Sequence, residues 1–168
     1  ATDDNAGIYV TMPQGGAQMM MMMMMMMSEH WLVKHELIWV KNQPTFSIGR
    51  LDYDYQHEPI AYGWKKGASH RWFGKGPFTK SVWQIDRPRE SKLHPTMKPI
   101  ALVENAIANS SDIRWGILDP FLGSGTTLIA CECLGRKCMG MEIEPRYVQV
   151  SIERWQNYTG QKAVKLNV

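Results

Sequence analysis

The chain has 168 residues, of which 44% are hydrophobic and 21% are charged, and its net charge is +3. This length and composition are ordinary for one soluble globular domain. No stretch reaches the roughly 18 consecutive apolar residues that a membrane span needs, and the start of the chain lacks the basic segment of a secretory signal. These features argue against a membrane-spanning or secreted protein, and we expect a cytoplasmic one.

The positive charge is concentrated in one part of the chain. Residues 34–98 contain twelve Lys or Arg against six Asp or Glu, whereas the remainder is net negative. Within residues 45–90, basic side chains alternate with Tyr, Trp and Gly, the combination that phosphate contacts and base stacking use. We therefore predict a loop-rich nucleic-acid-contacting region at residues 43–93, although the same aromatic residues could instead form a small core. The cations expected to contact nucleic acid are Arg50, Lys65, Lys66, Arg71, Lys75 and Lys80.

Strand and helix patterns alternate in the first half of the chain. Residues 7–12 are an apolar run typical of a short strand, and residues 17–29 predict a helix because their nine consecutive Met are good helix formers. A helix that is apolar on every side must be buried, so we expect the Met run to fill a core. A copper-binding Met tract is the alternative, but it would require spaced ligands and an oxidising compartment. Three further segments have the composition of short strands: residues 37–40, 60–64 and 81–85.

The second half is organised around a strand, a tight turn and a helix. Residues 115–118 end an apolar run, Gly123 and Gly125 permit positive φ, and residues 128–134 have a helical pattern. Free N–H groups at the start of that helix would suit a carboxylate or another electron-rich ligand. The neighbouring segments predict a helix at 100–109, a strand at 137–143, a helix at 145–158 that ends at Gly160, and a strand at 163–168. This alternation predicts an α/β fold with a mostly parallel sheet.

The glycine turn admits two nucleotide-binding interpretations. A phosphate-binding P-loop requires Lys after its last Gly, whereas Thr126 and Thr127 follow Gly125 here, which argues against an ATPase. Glu142 lies in the next predicted strand about twenty residues past the turn, the spacing at which an acid contacts a ribose hydroxyl in dinucleotide folds. The spacing favours an adenosine-containing ligand, although a glycine-rich turn with an incidental acid would look the same.

Three ordered motifs resemble those of S-adenosylmethionine-dependent DNA amino-methyltransferases. They are His-Pro-Thr-Met-Lys-Pro at residues 94–99, Asp-Pro-Phe-Leu-Gly-Ser-Gly-Thr-Thr at residues 119–127, and Glu-Ile-Glu-Pro-Arg-Tyr at residues 142–147. Their order matches the circularly permuted class of this family, in which the catalytic half comes first. The resemblance extends back to about Gly7 and implies a Rossmann-like methyltransferase sheet.

The resemblance also implies contacts with S-adenosylmethionine. Phe121, Gly123 and Gly125 would surround its methionine part, whereas Glu142 would bind both ribose hydroxyls and Ile143 would pack against the adenine. Thr96 and Lys98 would help to hold the carboxylate of the cofactor's methionine part, and Asp119 would lie near its amino group. The complete set expected to bind the cofactor is His94, Pro95, Thr96, Lys98, Asp119, Phe121, Gly123, Ser124, Gly125, Thr126, Glu142 and Ile143.

One family motif does not occur in the 168 residues. It is the catalytic tetrapeptide, in which Asp, Asn or Ser is followed by Pro-Pro and an aromatic residue. In this class it precedes the segment that corresponds to Gly7, so the chain resembles the C-terminal part of a longer enzyme. We therefore expect the sheet of this chain to be incomplete at its N-terminal side. We therefore predict no catalytic residue here, and we expect this chain alone to be inactive, in need of a missing segment or a second chain.

The resemblance implies a site-specific methyltransferase of double-stranded DNA, with N6 of adenine favoured and N4 of cytosine as the variant. Two alternatives remain. One is a non-catalytic module that binds cofactor or DNA, as a remnant or as half of a split enzyme. The other is an enzyme of the same class that acts on RNA.

Three cysteines lie after the glycine turn, at positions 131, 133 and 138. They cannot all pair, which fits a reducing compartment. A zinc site would need four ligands at finger-like spacing, so we expect no metal here and interpret the cysteines as buried or inert thiols.

Overall fold

The computed structural model describes residues 3–12, 17–44, 52–74, 79–87 and 97–166. In chain order, its elements are β1 (Gly7–Thr11), α1 (Ala17–His30), β2 (Trp31–Val40), β3 (His57–Lys65), β4 (Val82–Gln84), α2 (Ile100–Ser110), β5 (Gly116–Asp119), α3 (Thr126–Leu134), β6 (Lys137–Gly140) and α4 (Pro145–Thr159). The chain divides into two compact units. The first unit consists of residues 1–87 with 109–111, and the second unit consists of residues 88–108 with 112–168.

A four-stranded sheet forms the framework of the first unit, in the order β1-β3-β2-β4. The strand β3 is antiparallel to both β1 and β2, and β4 is parallel to β2. Because β3 has a strand on each edge, its central residues 59–63 are all buried. The core includes Trp39, Ile60, Tyr62 and Trp83.

A buried ion pair joins the end of β2 to the start of β3. The ammonium of Lys41 lies 2.8 Å from Glu58 Oε1, and the Lys41 side chain is only 2% exposed. The same ammonium lies 5.3 Å from the centre of the Trp39 ring. Backbone groups reinforce this junction, since the Lys41 N–H donates to the Gln56 carbonyl. The sequence pattern indicates Lys41 only as the polar end of a strand.

The helix α1 corrects the expectation for the Met run. The predicted helix is present, but Met19, Met21, Met22, Met25 and Met26 are 58–67% exposed. The expectation of a core was wrong, since none of the nine Met side chains is buried. The thioethers of the exposed residues therefore remain in contact with solvent.

Two parallel strands, β5 and β6, carry the second unit, with Ile117 opposite Cys138 in their register. Both side chains pack against a small core formed by α2 and α3, which contains Ile107, Ala130 and Cys131. The helix α3 begins after Gly125 and ends at Gly135, which both have left-handed backbone conformations. This core holds the carboxyl end of β5 against the start of α3.

The α/β prediction holds, whereas the prediction of a mostly parallel sheet needs correction. Two of the strand pairs in the described residues are parallel and two are antiparallel. The predicted helices are all present within about two residues of their expected ends. The alternating residues 163–166 form no strand, and residues 167–168 lie outside the described part. Within the described residues of the region 43–93, the strands β3 and β4 overlap the predicted strands at residues 60–64 and 81–85.

Candidate cofactor-binding site

The carboxylate of Asp119 fixes the turn that follows β5. Its Oδ1 accepts a hydrogen bond from the Phe121 N–H at 3.0 Å, and its Oδ2 accepts one from Thr127 Oγ1 at 2.6 Å. The side chain therefore bridges the end of the strand and the first turn of α3. Because Asp119 already has these two partners, its position is set by the turn itself.

The two glycines give the turn its shape. Gly123 and Gly125 have φ angles of +56° and +79°, as predicted from the sequence. A Cβ atom at Gly125 would lie 2.9 Å from Ser151 Oγ and 3.2 Å from the Ser151 Cα. Glycine is therefore required here for both its backbone conformation and its lack of a side chain.

Glu142 connects the turn to the start of α4. Its Oε2 accepts a hydrogen bond from the Gly123 N–H at 2.7 Å, and its Oε1 accepts one from the Glu144 N–H at 2.9 Å. Glu142 therefore lies directly beside the glycine turn. Glu144 in turn caps α4, since its side chain accepts from the Arg146 N–H.

Two residues of α4, which the sequence motifs do not include, also hold the turn. Ser151 Oγ donates to the Gly123 carbonyl at 2.8 Å, and Arg154 donates to the Ser124 carbonyl and, at 3.2 Å, to Ser124 Oγ. Burial lowers the pKa of the Arg154 guanidinium. The sequence signal that could have pointed to these residues is their spacing. Ser151 and Arg154 lie three residues apart and therefore on one side of the helix.

Large apolar side chains are exposed around this turn. Phe121 is 87% exposed and Ile143 is 97% exposed, and Met141 between the strand and Glu142 is exposed as well. Exposed apolar groups clustered beside a polar turn are typical of a ligand-binding surface. The turn therefore combines backbone donors, a carboxylate and apolar surface.

The remaining residues expected to bind cofactor are only partly described. The carbonyl of Lys98 accepts a 3.4 Å hydrogen bond from Thr126 Oγ1, which ties the motif at residues 94–99 to the start of α3. His94, Pro95 and Thr96 lie outside the described residues.

The described cations expected to contact nucleic acid all belong to the first unit. Lys65, Lys66, Arg71 and Lys80 are exposed, and the ammonium of Lys65 forms an exposed ion pair with Asp4. Arg50 and Lys75 lie outside the described residues.

The cysteines have three different environments. Cys131 is buried, and the hydrogen bond that its thiol donates to Cys138, together with burial, raises the pKa of Cys131. Cys133 is exposed, with its Sγ 3.0 Å from the Tyr158 hydroxyl, so of the two expected states, buried or inert, burial does not apply to this thiol. Within the described ranges, no group of three or more His, Cys, Asp or Glu residues could hold a metal ion. In the same ranges, no helix is long and apolar enough to cross a membrane.

Comparison with known proteins identifies the family. A family model described as DNA methylase, N6_N4_Mtase, matches residues 2–153. The chain belongs to this DNA methylase family. A curated relative, the type II methyltransferase M2.LlaDCHI of Lactococcus lactis subsp. cremoris, is 30% identical over 139 residues, which are 75% of this chain and 52% of that protein. The chain spans about half the length of the curated relatives that it matches.

Solved structures of DNA methyltransferases share the fold. The complex of M1.HpyAVI with SAM is 30% identical, with a TM-score of 0.74 over 90% of this chain and 75% of that chain. The cytosine-N4-specific PvuII DNA methyltransferase is 16% identical, with a TM-score of 0.76 over 90% of this chain and 64% of that one. The Rossmann-like methyltransferase fold expected from the motifs is thereby confirmed.

Proposed function

We propose that this DNA methylase chain holds S-adenosylmethionine and serves in transferring its methyl group to an exocyclic amine of a DNA base, with N6 of adenine favoured and N4 of cytosine as the variant. The observation that carries the proposal is the contact between Glu142 and the glycine turn. It supports a role in which one carboxylate is aligned beside the backbone donors that would receive the cofactor.

The geometry of Glu142 suits a ribose. A carboxylate offers about four acceptor positions, so two backbone N–H donors leave its ionised oxygens compatible with hydroxyl donors as well. The neighbouring Ile143 and Phe121 supply apolar surface, which suits the adenine and the methionine carbons of the cofactor. The site lies at the carboxyl ends of β5 and β6, where open α/β sheets bind their ligands.

The chemistry divides into binding the methyl donor and orienting the amine. S-adenosylmethionine supplies an activated sulfonium methyl when bound. The exocyclic amine is a poor nucleophile because its lone pair is delocalised into the ring, so the base must be flipped out and its nitrogen aligned with the methyl. The residues of this chain would serve the first task, since Glu142 and α4 hold the glycine turn through hydrogen bonds.

Calorimetry of S-adenosylmethionine binding tests the proposal. Replacing Glu142 with Ala should weaken binding by about tenfold or more, because hydrogen bonds to a charged group contribute roughly 1.5 to 3 kcal/mol. Glu142→Gln keeps the shape of the side chain but not its charge, so its affinity for S-adenosylmethionine should lie between those of the wild type and Glu142→Ala. Glu153→Ala removes an exposed carboxylate from α4, outside the turn contacts, and serves as the matched control. Wild-type affinity in Glu142→Ala would show that the ribose assignment is wrong.

A non-catalytic module is the second candidate, because the family's catalytic tetrapeptide is absent from the 168 residues. Positioning of reactants can lower a barrier by roughly 7 to 11 kcal/mol, so loss of the groups that orient the amine should nearly silence transfer. We therefore expect the purified chain to bind cofactor without transferring tritiated methyl groups to unmodified DNA. Steady methyl transfer by this chain alone would mean that its catalytic residues lie elsewhere in the sequence.

A further inference from the structure

The helix α4 holds two successive carbonyls of the glycine turn with side chains that no cofactor motif includes. Ser151 Oγ donates to the Gly123 carbonyl at 2.8 Å. The Nη1 atom of Arg154 donates to the Ser124 carbonyl and lies 3.2 Å from Ser124 Oγ. Since adjacent peptide groups are both held, the backbone conformation of Ser124 between them is fixed from the side of α4.

These contacts set the direction of the Ser124 N–H. A trans peptide group points its carbonyl and the following N–H in opposite directions, and none of the described peptide bonds is cis. Because Ser151 holds the Gly123 carbonyl, the N–H of Ser124 points away from α4.

The Ser124 N–H is also the donor of the turn that remains for a ligand. The Gly123 N–H donates to Glu142, and the Gly125 N–H donates to the Leu122 carbonyl at 3.0 Å. Among the described residues, no acceptor is bonded to the N–H of Ser124. A ligand that approaches the turn from the side opposite α4 would therefore meet this N–H.

A partly buried positive charge lies beside the same peptide. Ser151 and Ser124 are 3% and 4% exposed, and Arg154 is half-buried. Burial lowers the pKa of the Arg154 guanidinium, which nevertheless stays charged at neutral pH, as arginine does in proteins. In the described ranges, no Asp or Glu forms an ion pair with Arg154. Its charge is therefore not offset by a carboxylate of those residues.

An available N–H near an unpaired positive charge suits a carboxylate ligand. S-adenosylmethionine has its carboxylate at the amino-acid end, whereas its adenosine end carries no anionic group. The hydrogen bond from Ser151 polarises the peptide that contains the Ser124 N–H and strengthens that donor. Partial burial also reduces the screening of the Arg154 charge by salt. We propose that Arg154, together with Ser151, is a positioning residue that aligns the Ser124 N–H with the carboxylate of the cofactor's amino-acid end.

This inference rests on the proposed function, because it concerns the same cofactor site. It goes further, since it assigns the two ends of the cofactor to different groups of the protein. Ser151 and Arg154 would govern affinity for the amino-acid end, whereas Glu142 would govern affinity for the ribose. In this role neither Ser151 nor Arg154 touches the ligand, because both act through the backbone of the turn.

Calorimetry with two ligands tests this division. S-adenosylhomocysteine, the demethylated cofactor, and 5′-methylthioadenosine both contain adenosine and a thioether, but only the former has an amino-acid end. Arg154→Ala should weaken binding of S-adenosylhomocysteine about fivefold or more, the effect of losing roughly one hydrogen bond, and should change binding of methylthioadenosine by less than about twofold. A merely structural role would weaken binding of both ligands equally.

Three further variants sharpen the comparison. Arg154→Lys keeps the charge but not the planar fork, so it should recover part of the affinity for S-adenosylhomocysteine. Ser151→Ala should show the same selectivity as Arg154→Ala with a smaller effect. Arg146→Ala removes an exposed arginine from the same helix and, as the matched control, should leave both affinities unchanged. Glu142→Ala should weaken binding of both ligands, because both contain the ribose.

The outcomes separate this inference from the proposed function. Equal weakening of both ligands in Arg154→Ala, or wild-type affinity for both, would overturn the inference. Should Arg154→Ala bind neither ligand, the same ratio of affinities is measured in Arg154→Lys and Ser151→Ala. A loss confined to S-adenosylhomocysteine in either variant then supports the inference, and the lack of a selective loss in both overturns it. Failure of the wild type to bind either ligand would contradict the cofactor role itself.

Discussion

Gly125 is the residue at which backbone conformation and packing act together most strongly. Its φ of +79° is costly for any residue with a side chain, and an added Cβ would meet both the side chain and the backbone of Ser151. Gly160 offers a matched comparison, since its φ is +73° and an added Cβ there would meet nothing within 4 Å. The two positions therefore separate conformational strain from steric conflict.

Replacing each glycine with Ala should reveal this difference in urea denaturation. Both variants should lose roughly 1 to 2 kcal/mol, the cost of a left-handed conformation for an L-residue. Gly125→Ala should lose clearly more, because Ser151 must also move, and it should weaken S-adenosylmethionine binding while Gly160→Ala does not. Equal stability losses would show that the contact between the turn and α4 is looser than its distances indicate.

The sequence predicted part of the geometry of the glycine turn. The glycine spacing predicted the positive φ values at Gly123 and Gly125, whereas Glu142, which was predicted within a strand at residues 137–143, lies after β6 has ended at Gly140. Ser151 and Arg154 were missed because their contacts with the turn span 28 and 30 residues, and their three-residue spacing places them on one side of α4 without showing what that side contacts. Such contacts become visible only when the packing of α4 against α3 is known.

At the scale of elements, helices were predicted better than strands. The helix α4 starts with Pro145 after its cap Glu144 and ends at Gly160, and these local signals fix its boundaries. The strand β2 begins at Trp31, six residues before the predicted start, because exposed polar residues interrupt its apolar pattern. Alternation at residues 163–166 produced no strand, since pairing depends on a partner that the local sequence does not specify.

The exposed Met side chains of α1 should tolerate polar replacement. Met21→Lys and Met25→Lys should each change the free energy of unfolding by less than about 0.5 kcal/mol, because Met and Lys have similar helix propensities and surface changes are usually small. Met12, which is 4% exposed, is the buried control, and Met12→Ala should cost roughly 2 to 5 kcal/mol. Large losses on replacing Met21 or Met25 would mean that another surface covers this helix in solution.

For the whole molecule, charge distribution is the property that bears on DNA. The chain carries only a small net positive charge, yet its basic surplus lies in residues 34–98. The described cations of that stretch that were expected to contact nucleic acid belong to the first unit. Composition alone gave this asymmetry correctly, but it could not show that Lys41 is buried while Lys66 is exposed.

The affinity of the chain for double-stranded DNA should fall steeply with salt. Replacing Lys65, Lys66 and Arg71 together should flatten the slope of log affinity against log salt by roughly 0.9 for each phosphate that the protein no longer neutralises. The matched control removes three exposed lysines of the second unit, Lys137, Lys162 and Lys165, with the same change in net charge. A salt-independent affinity, or equal effects of the two triple variants, would remove these cations from the DNA-contacting surface.

The enclosure of Lys41 has a practical consequence for following motions of the first unit. An acylating reagent in solution reaches its amine only when the ends of β2 and β3 separate, whereas Lys65, whose side chain is 57% exposed, reacts directly. The ratio of the two modification rates, read by mass spectrometry of peptides, therefore reports how often this part of the sheet opens. Lys41 therefore serves as an internal probe of local unfolding in the unaltered protein.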